Sequence, residues 1–163
     1  ADHTDRARNG ERAAKIACLR PIAEPRIRTA VLAVAKRTVE NGRGETDAPW
    51  YQLALGMAEY RDGNYVAAEA ALSAAVQTAS SLGPIAQARI EGTANFYRAM
   101  GLFQQGKRAE ARALFTTTEA VMAPLPTDED TSAIVKSDHD DVILWLACKE
   151  ARALLAEPAT VGR

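Results

Sequence analysis

The sequence predicts an all-α protein of about seven helices, stacked as an α–α superhelix that ends in a capping helix. Two observations support this fold class. Hydrophobic residues make up 47% of the 163 residues but aromatic residues only 6%, and Ala is the commonest hydrophobic residue. That composition suits closely packed helices better than sheets. In addition, a helix–turn–helix pattern occurs twice. The length fits one domain, over residues 1–163, with a core that needs no disulfide or metal.

The first predicted element is a helical hairpin over residues 4–42. Its two helices span about 4–20 and 24–41, and Pro21 and Pro25 interrupt the pattern between them. This hairpin lacks the turn glycine of the later ones, so we predict a degenerate unit of the same kind.

The first clear unit covers residues 48–82. Thr46 or Asp47 is placed to cap its first helix, and Pro49 lies in the first turn, where a missing N–H costs nothing. The turn at Asp62-Gly63-Asn64 ends that helix. A second helix is then predicted from Tyr65 to about Ser81, which makes an antiparallel hairpin.

The second unit covers residues 85–122 and repeats the first. Its helices are predicted over about 85–105 and 107–121, with Gly106 at the turn. Gly106 corresponds to Gly63 and Ala111 to Ala68, which gives a step of 43 residues. Residues 123–136 then read as an acidic, Pro-interrupted loop. Ser137 and Asp140 predict a capping box that opens the capping helix, 137–156.

These units resemble the tetratricopeptide repeat, which has a period of about 34 residues and small residues where its paired helices touch. The additional residues are expected to lengthen the helices or the connection around SSLGPIAQA. The stretches ERAAKIACLRP, PWYQLALGMAEYRDGNYVAAEAAL and DDVILWLACKEARALL resemble the C-terminal tetratricopeptide region of bacterial Hanks-type serine/threonine kinases from the Planctomycetes and related phyla. The resemblance implies a non-catalytic protein-interaction module that forms the regulatory or scaffolding tail of a larger kinase.

Charge and cysteine content exclude several other classes. Residues 6–43 carry ten basic and three acidic side chains, whereas residues 117–141 carry seven acidic and one basic. The basic residues form no stripe with interleaved aromatics and the sequence pI is about 6.2, which argues against nucleic acid. No apolar run is long enough for a membrane span. Cys18 and Cys148 are expected to be buried thiols in a reducing, cytoplasmic compartment. We expect no cofactor and no catalytic residue, and the lack of an initiator Met suggests a fragment of a longer protein.

The predicted partner-binding surface is an apolar strip on the first helix of each unit. A strip of this composition suits an apolar or amphipathic protein segment. It lacks the Lys, Asn and Arg of a carboxylate clamp. The alternative interpretation is that the strip is plain core, covered by a neighbouring helix or by the connector, residues 124–136. Its members are Leu53, Met57, Tyr60, Phe96, Met100 and Phe103.

Two further hypotheses stay open at this point. The run SDHDD, residues 137–141, could be part of a helical metal-dependent hydrolase that uses His139 and neighbouring acids. Helix capping by the same acids accounts for the run without a metal, because acids stabilise a helix N-terminus. The other hypothesis is a self-association module, and the sequence does not determine the oligomeric state.

Overall fold

The computed structural model describes residues 3–123 and 137–156, with the side chains from residue 5 onward. Within these ranges the chain forms seven α-helices, one short 3-10 helix and no strand. The prediction of an all-α protein is confirmed. The α-helices are α1 His3–Ala17, α2 Pro25–Asn41, α3 Ala48–Arg61, α4 Tyr65–Thr78, α5 Pro84–Gln104, α6 Arg108–Val121 and α7 His139–Leu155.

Proline marks the start of three helices. Pro25, Pro49 and Pro84 each lie in the first turn of their helix, where the backbone has no intrahelical acceptor for an N–H. The predicted helix from Tyr65 to Ser81 is shorter than expected. It ends at Thr78, and a 3-10 helix, Ala79–Leu82, leads to Gly83, which has a φ of 86°. A positive φ of this size favours glycine.

The two predicted repeat units have the same turn geometry. Gly63 and Gly106 have φ values of 85° and 81°. Gly63 N–H donates to Tyr60 O at 3.1 Å, and Gly106 N–H donates to Phe103 O at 3.0 Å. The next N–H in each turn also donates to the equivalent carbonyl, five residues back along the chain. Helices α4 and α6 each have 14 residues and begin 43 residues apart.

The long repeat step has a simple origin in helix length. Helix α5 has 21 residues whereas α3 has 14, and both end at the same distance from their turn glycines. The additional residues of α5 therefore lie at its N-terminus, directly after the 3-10 helix. This is the region around SSLGPIAQA, where the sequence predicted a longer helix or connection.

Helices α1 to α6 each pack against the next helix along the chain. In addition, α1 packs against α3, α3 against α5, and α5 against α7. The ion pair between Arg8 and Asp47 joins the N-terminal parts of α1 and α3, while Arg61 bonds Cys18 O near the C-terminal ends of both. Helices α1 and α3 therefore run in the same direction. One apolar cluster contains buried residues from all helices but α6.

The capping box of α7 lies one residue later than predicted. Asp138, not Ser137, is the N-cap residue, and its partner is Asp141 rather than Asp140. The backbone N–H of Asp138 donates to Asp141 at 2.9 Å. The Asp140 carboxylate instead accepts a hydrogen bond from Lys15 of α1.

The predicted acidic loop spans residues 123–136, and all of it except Ala123 lies outside the described residues, including its three acids, Asp128, Glu129 and Asp130. Among the helices that the structure describes, none has the length and apolar character needed to cross a membrane.

Two glycines in helix interiors provide a matched test of packing. A Cβ atom on Gly56 would overlap Leu72 of α4 and lie 3.2 Å from its backbone nitrogen, whereas a Cβ on Gly101 would meet no atom within 4 Å. We expect Gly56→Ala to destabilise the protein by about 1–3 kcal/mol, because the α3–α4 contact must widen. We expect Gly101→Ala to stabilise it by about 0.5–1 kcal/mol, since Ala restricts the unfolded chain.

Urea denaturation of both variants measures these changes. Equal effects of the same sign would contradict the close approach of α3 and α4 at Gly56.

Candidate functional site

The structure places all six residues of the predicted strip in the interior. Leu53, Met57, Phe96 and Met100 are at most 1% exposed, and Tyr60 and Phe103 are 8% and 7% exposed. Of the two interpretations that the sequence left open, this burial favours core. A partner would reach these side chains only if a neighbouring element moved away.

Helix α7 is the element that covers part of this strip. Leu155 of α7 joins Phe103 and Ala111 in a small apolar cluster. Tyr60 borders a cavity of about 410 Å³ whose wall includes Glu150, Ala153 and Leu154 of α7. At the other end of α7, Leu144 lies over Gly92 of α5, where a Cβ atom would come within 2.6 Å of Leu144 Cδ1. Helix α7 therefore lies along α5 in the same direction.

A buried ion cluster joins the N-terminus of α7 to α1. The Lys15 side chain is only 1% exposed, and its Nζ contacts carboxylates of Glu11 and Asp140, the latter at 2.5 Å. The same Nζ lies 4.5 Å from the ring centroid of Trp50, in α3. Burial raises the pKa of Glu11, and the charge of Lys15 opposes that effect. Lys15 thus joins two regions that are 125 residues apart in the sequence.

A second ion cluster joins the C-terminal half of α7 to α3. Arg61 donates to both carboxylate oxygens of Glu150 at 2.6 Å, to the hydroxyl of Tyr97 at 3.0 Å and to the carbonyl of Cys18 at 2.8 Å. Burial alone would lower the pKa of Arg61, but the bonds to Glu150 raise it. The Arg61 side chain is only 4% exposed. A cation that is buried to this extent needs these acceptors in place of water.

Two more ion pairs complete the attachment of α7. Arg89 of α5 forms a two-pronged pair with Asp141, with both N···O distances at 2.8 Å, and also contacts Asp138. Arg152 of α7 contacts Glu119 of α6 at 2.5 Å. Helix α7 therefore has an ion pair with each of α1, α3, α5 and α6.

Asp138, His139 and Asp140 form the group that could hold a metal ion among the described residues, because their ligand atoms lie within 4.8 Å of one another. The two ring nitrogens of His139 face the two carboxylates, Nδ1 towards Asp138 and Nε2 at 3.4 Å from Asp140. Burial would raise the pKa of Asp138, but the charge and hydrogen bonds of His139 lower it. Each acid also has a cationic partner, Arg89 or Lys15. A metal ion would compete with these existing pairs.

The two cysteines are buried and unpaired, as the sequence predicted. Burial raises the pKa of Cys18 to about 12 and also raises that of Cys148. Both are therefore thiols at neutral pH, which makes them poor nucleophiles and poor metal ligands.

A larger cavity of about 740 Å³ lies between the N-terminal part of α5, the C-terminal part of α6 and the start of α7. Ile85 and Val121 on its edge are 69% and 86% exposed, and Leu144 forms part of its floor.

Sequence reasoning missed the residues that attach α7, in particular Lys15, Arg61 and Arg89. Charged side chains are usually exposed, so a lone Lys or Arg within a helix gives no signal of burial. The one available signal was the position of Lys15 next to the buried face that ends at Cys18. A Lys on that face requires a buried acid as its partner.

No family model matches the chain, and neither the curated proteins nor the solved structures contain a match to it.

The ion cluster around Lys15 gives a direct test of this geometry. We expect Lys15→Ala to destabilise the protein by about 3–5 kcal/mol, because it leaves two buried carboxylates close together without a cation. The control is Arg8→Ala, which breaks an exposed pair with Asp47 and is expected to cost no more than about 1 kcal/mol. Chemical denaturation at pH 7 measures both values, and equal losses would contradict the buried cluster.

Proposed function

We propose that this chain is a non-catalytic protein–protein interaction module, built as a short α–α solenoid of tetratricopeptide-like hairpins. The observation that supports this proposal most is the repeated turn. Two hairpins 43 residues apart have the same glycine conformation and the same hydrogen bonds. Helical hairpins that stack in this way commonly present extended binding surfaces.

The described residues also give little support to an enzyme. A general base or nucleophile needs a free or activated group beside a substrate cavity. Here the acids next to His139 are engaged by Lys15 and Arg89, and the cysteines are buried thiols. The cavity of about 740 Å³ between α5, α6 and α7 is lined mostly by apolar and small polar side chains.

We further propose that the module is the regulatory or scaffolding tail of a larger bacterial serine/threonine kinase and that it works in the cytoplasm. This part of the proposal rests on the sequence resemblance of three stretches to such tails. Sequencing the gene beyond the codons for this chain tests it. A kinase domain in the same reading frame, upstream, is the expected result, and a reading frame without one would refute the assignment.

The alternative is a metal-dependent hydrolase at Asp138, His139 and Asp140, and the grouping of their ligand atoms is the observation in its favour. Metal analysis of protein purified without chelator separates the two functions. If the chain is an interaction module, we expect less than one metal ion per chain and a melting temperature that a chelator leaves unchanged. One metal ion per chain that is lost in His139→Ala would support the hydrolase instead of the interaction module.

The interaction module is tested by capture. Immobilised chain should retain at least one protein from a lysate of the source cells, and an unrelated helical protein of similar pI is the matched control. The partner should then bind the purified chain with a measurable affinity in calorimetry. Retention of no protein above the control, or of another copy of this chain alone, would overturn an adaptor role. Light scattering on the purified chain identifies the second case as self-association.

A further inference from the structure

Helix α7 lies in a seat that three other helices form, and this seat is defined here by Lys15 of α1, Arg61 of α3, and Arg89, Gly92 and Phe103 of α5. Leu144 and Leu155 of α7 lie against Gly92 and Phe103. The acids Asp140, Asp141 and Glu150 contact Lys15, Arg89 and Arg61 in turn. The seat thus recognises an amphipathic helix by two apolar contacts and three cations.

The seat cations keep other partners when α7 is absent. Lys15 also contacts Glu11 of its own helix, and Arg61 also donates to Cys18 O and to the hydroxyl of Tyr97. Arg89 is 21% exposed and is reached by water. Departure of α7 therefore leaves Lys15 and Arg61 with at least one partner each and Arg89 in contact with water.

The apolar part of the buried face of α7 consists of three small side chains, Ala147, Cys148 and Ala151, together with Ile143 and two leucines. Val142 and Leu146 on the same helix are 38% and 39% exposed. In the sequence, 17 residues separate the end of α6 from the start of α7.

We propose that the seat of α7 is the partner-binding surface of this module, and that α7 is an internal ligand that a partner helix displaces. The partner is an amphipathic helix of another protein that carries two adjacent acids and a third acid between about two and a half and three turns further on, at the places of Asp140, Asp141 and Glu150. Charge complementarity selects this partner class, because the seat offers three cations. This inference rests on the proposed function as an interaction module.

The experiment uses the full chain and a fluorescent peptide with the sequence of residues 137–156 as the probe, with binding read by fluorescence anisotropy. In the wild-type chain α7 competes with the probe, so binding is weak. Glu150→Gln weakens the hold of α7 but leaves every seat residue intact. We expect the probe to bind this variant about ten-fold more tightly or better, because apparent affinity rises with the fraction of open seat. Circular dichroism melting confirms that the variant is folded.

Two controls make the result specific. A probe in which Asn and Gln replace the three acids should lose most of its binding, since it keeps the apolar contacts but no charge. A chain with Gly92→Cys and Leu144→Cys can be oxidised to lock α7 in place, since the Cβ that Gly92 lacks lies 3.7 Å from Leu144 Cγ. The oxidised chain should bind no probe, and reduction should restore binding.

Absence of probe binding to a folded Glu150→Gln chain would overturn the inference, as would equal binding of the charged and neutral probes. A cellular partner that binds the oxidised, locked chain as well as the reduced one would also overturn it. In that last case the proposed function as an interaction module would stand, with its surface elsewhere. Failure of the proposed function would instead appear as the absence of any partner for either form.

Discussion

The structure depends most on the ion pairs that hold α7 against four other helices. Lys15 and Arg61 are almost fully buried, and a buried cation is tolerated only when acceptors surround it. Glu150 and Asp140 supply those acceptors from the end of the chain. Because Lys15 lies in α1 and Cys18 directly follows it, the first and last helices that the structure describes are joined directly, and the array of α1, α3, α5 and α7 is closed.

This closure explains why the predicted binding strip is not exposed. In an open array, the side chains of α3 and α5 that face away from α4 and α6 would line a groove. Here Tyr60 and Phe103 lie beside α7, and Leu53, Met57 and Met100 are part of the common core. For Tyr60 and Phe103, the difference between groove and core therefore depends on how firmly α7 is held. The other members of the strip are buried among several helices.

The sequence predicted what depends on local pattern. The turn glycines Gly63 and Gly106, Pro49 in a first turn and the small residue Ala68 have reasons in backbone geometry that lie within a few positions. What the sequence did not reveal depends on contacts between distant segments. The capping box was wrong by one residue because Asp140 is taken by Lys15, and no local pattern links residues so far apart. Burial of Arg61 was hidden for the same reason, since its acceptors come from α1, α5 and α7.

The attachment of α7 can be measured through Cys18 and Cys148, the only two cysteines of the chain. Cys148 lies on the buried face of α7 and Cys18 directly after α1, and both are 0% exposed. We expect both thiols of the native protein to react slowly with a thiol reagent. We also expect Glu150→Gln, which weakens the hold of α7, to accelerate the reaction of the two thiols together while the other helices stay folded. A Cys148 that reacts in the native wild-type chain as fast as a free thiol would show that α7 is not held against the other helices.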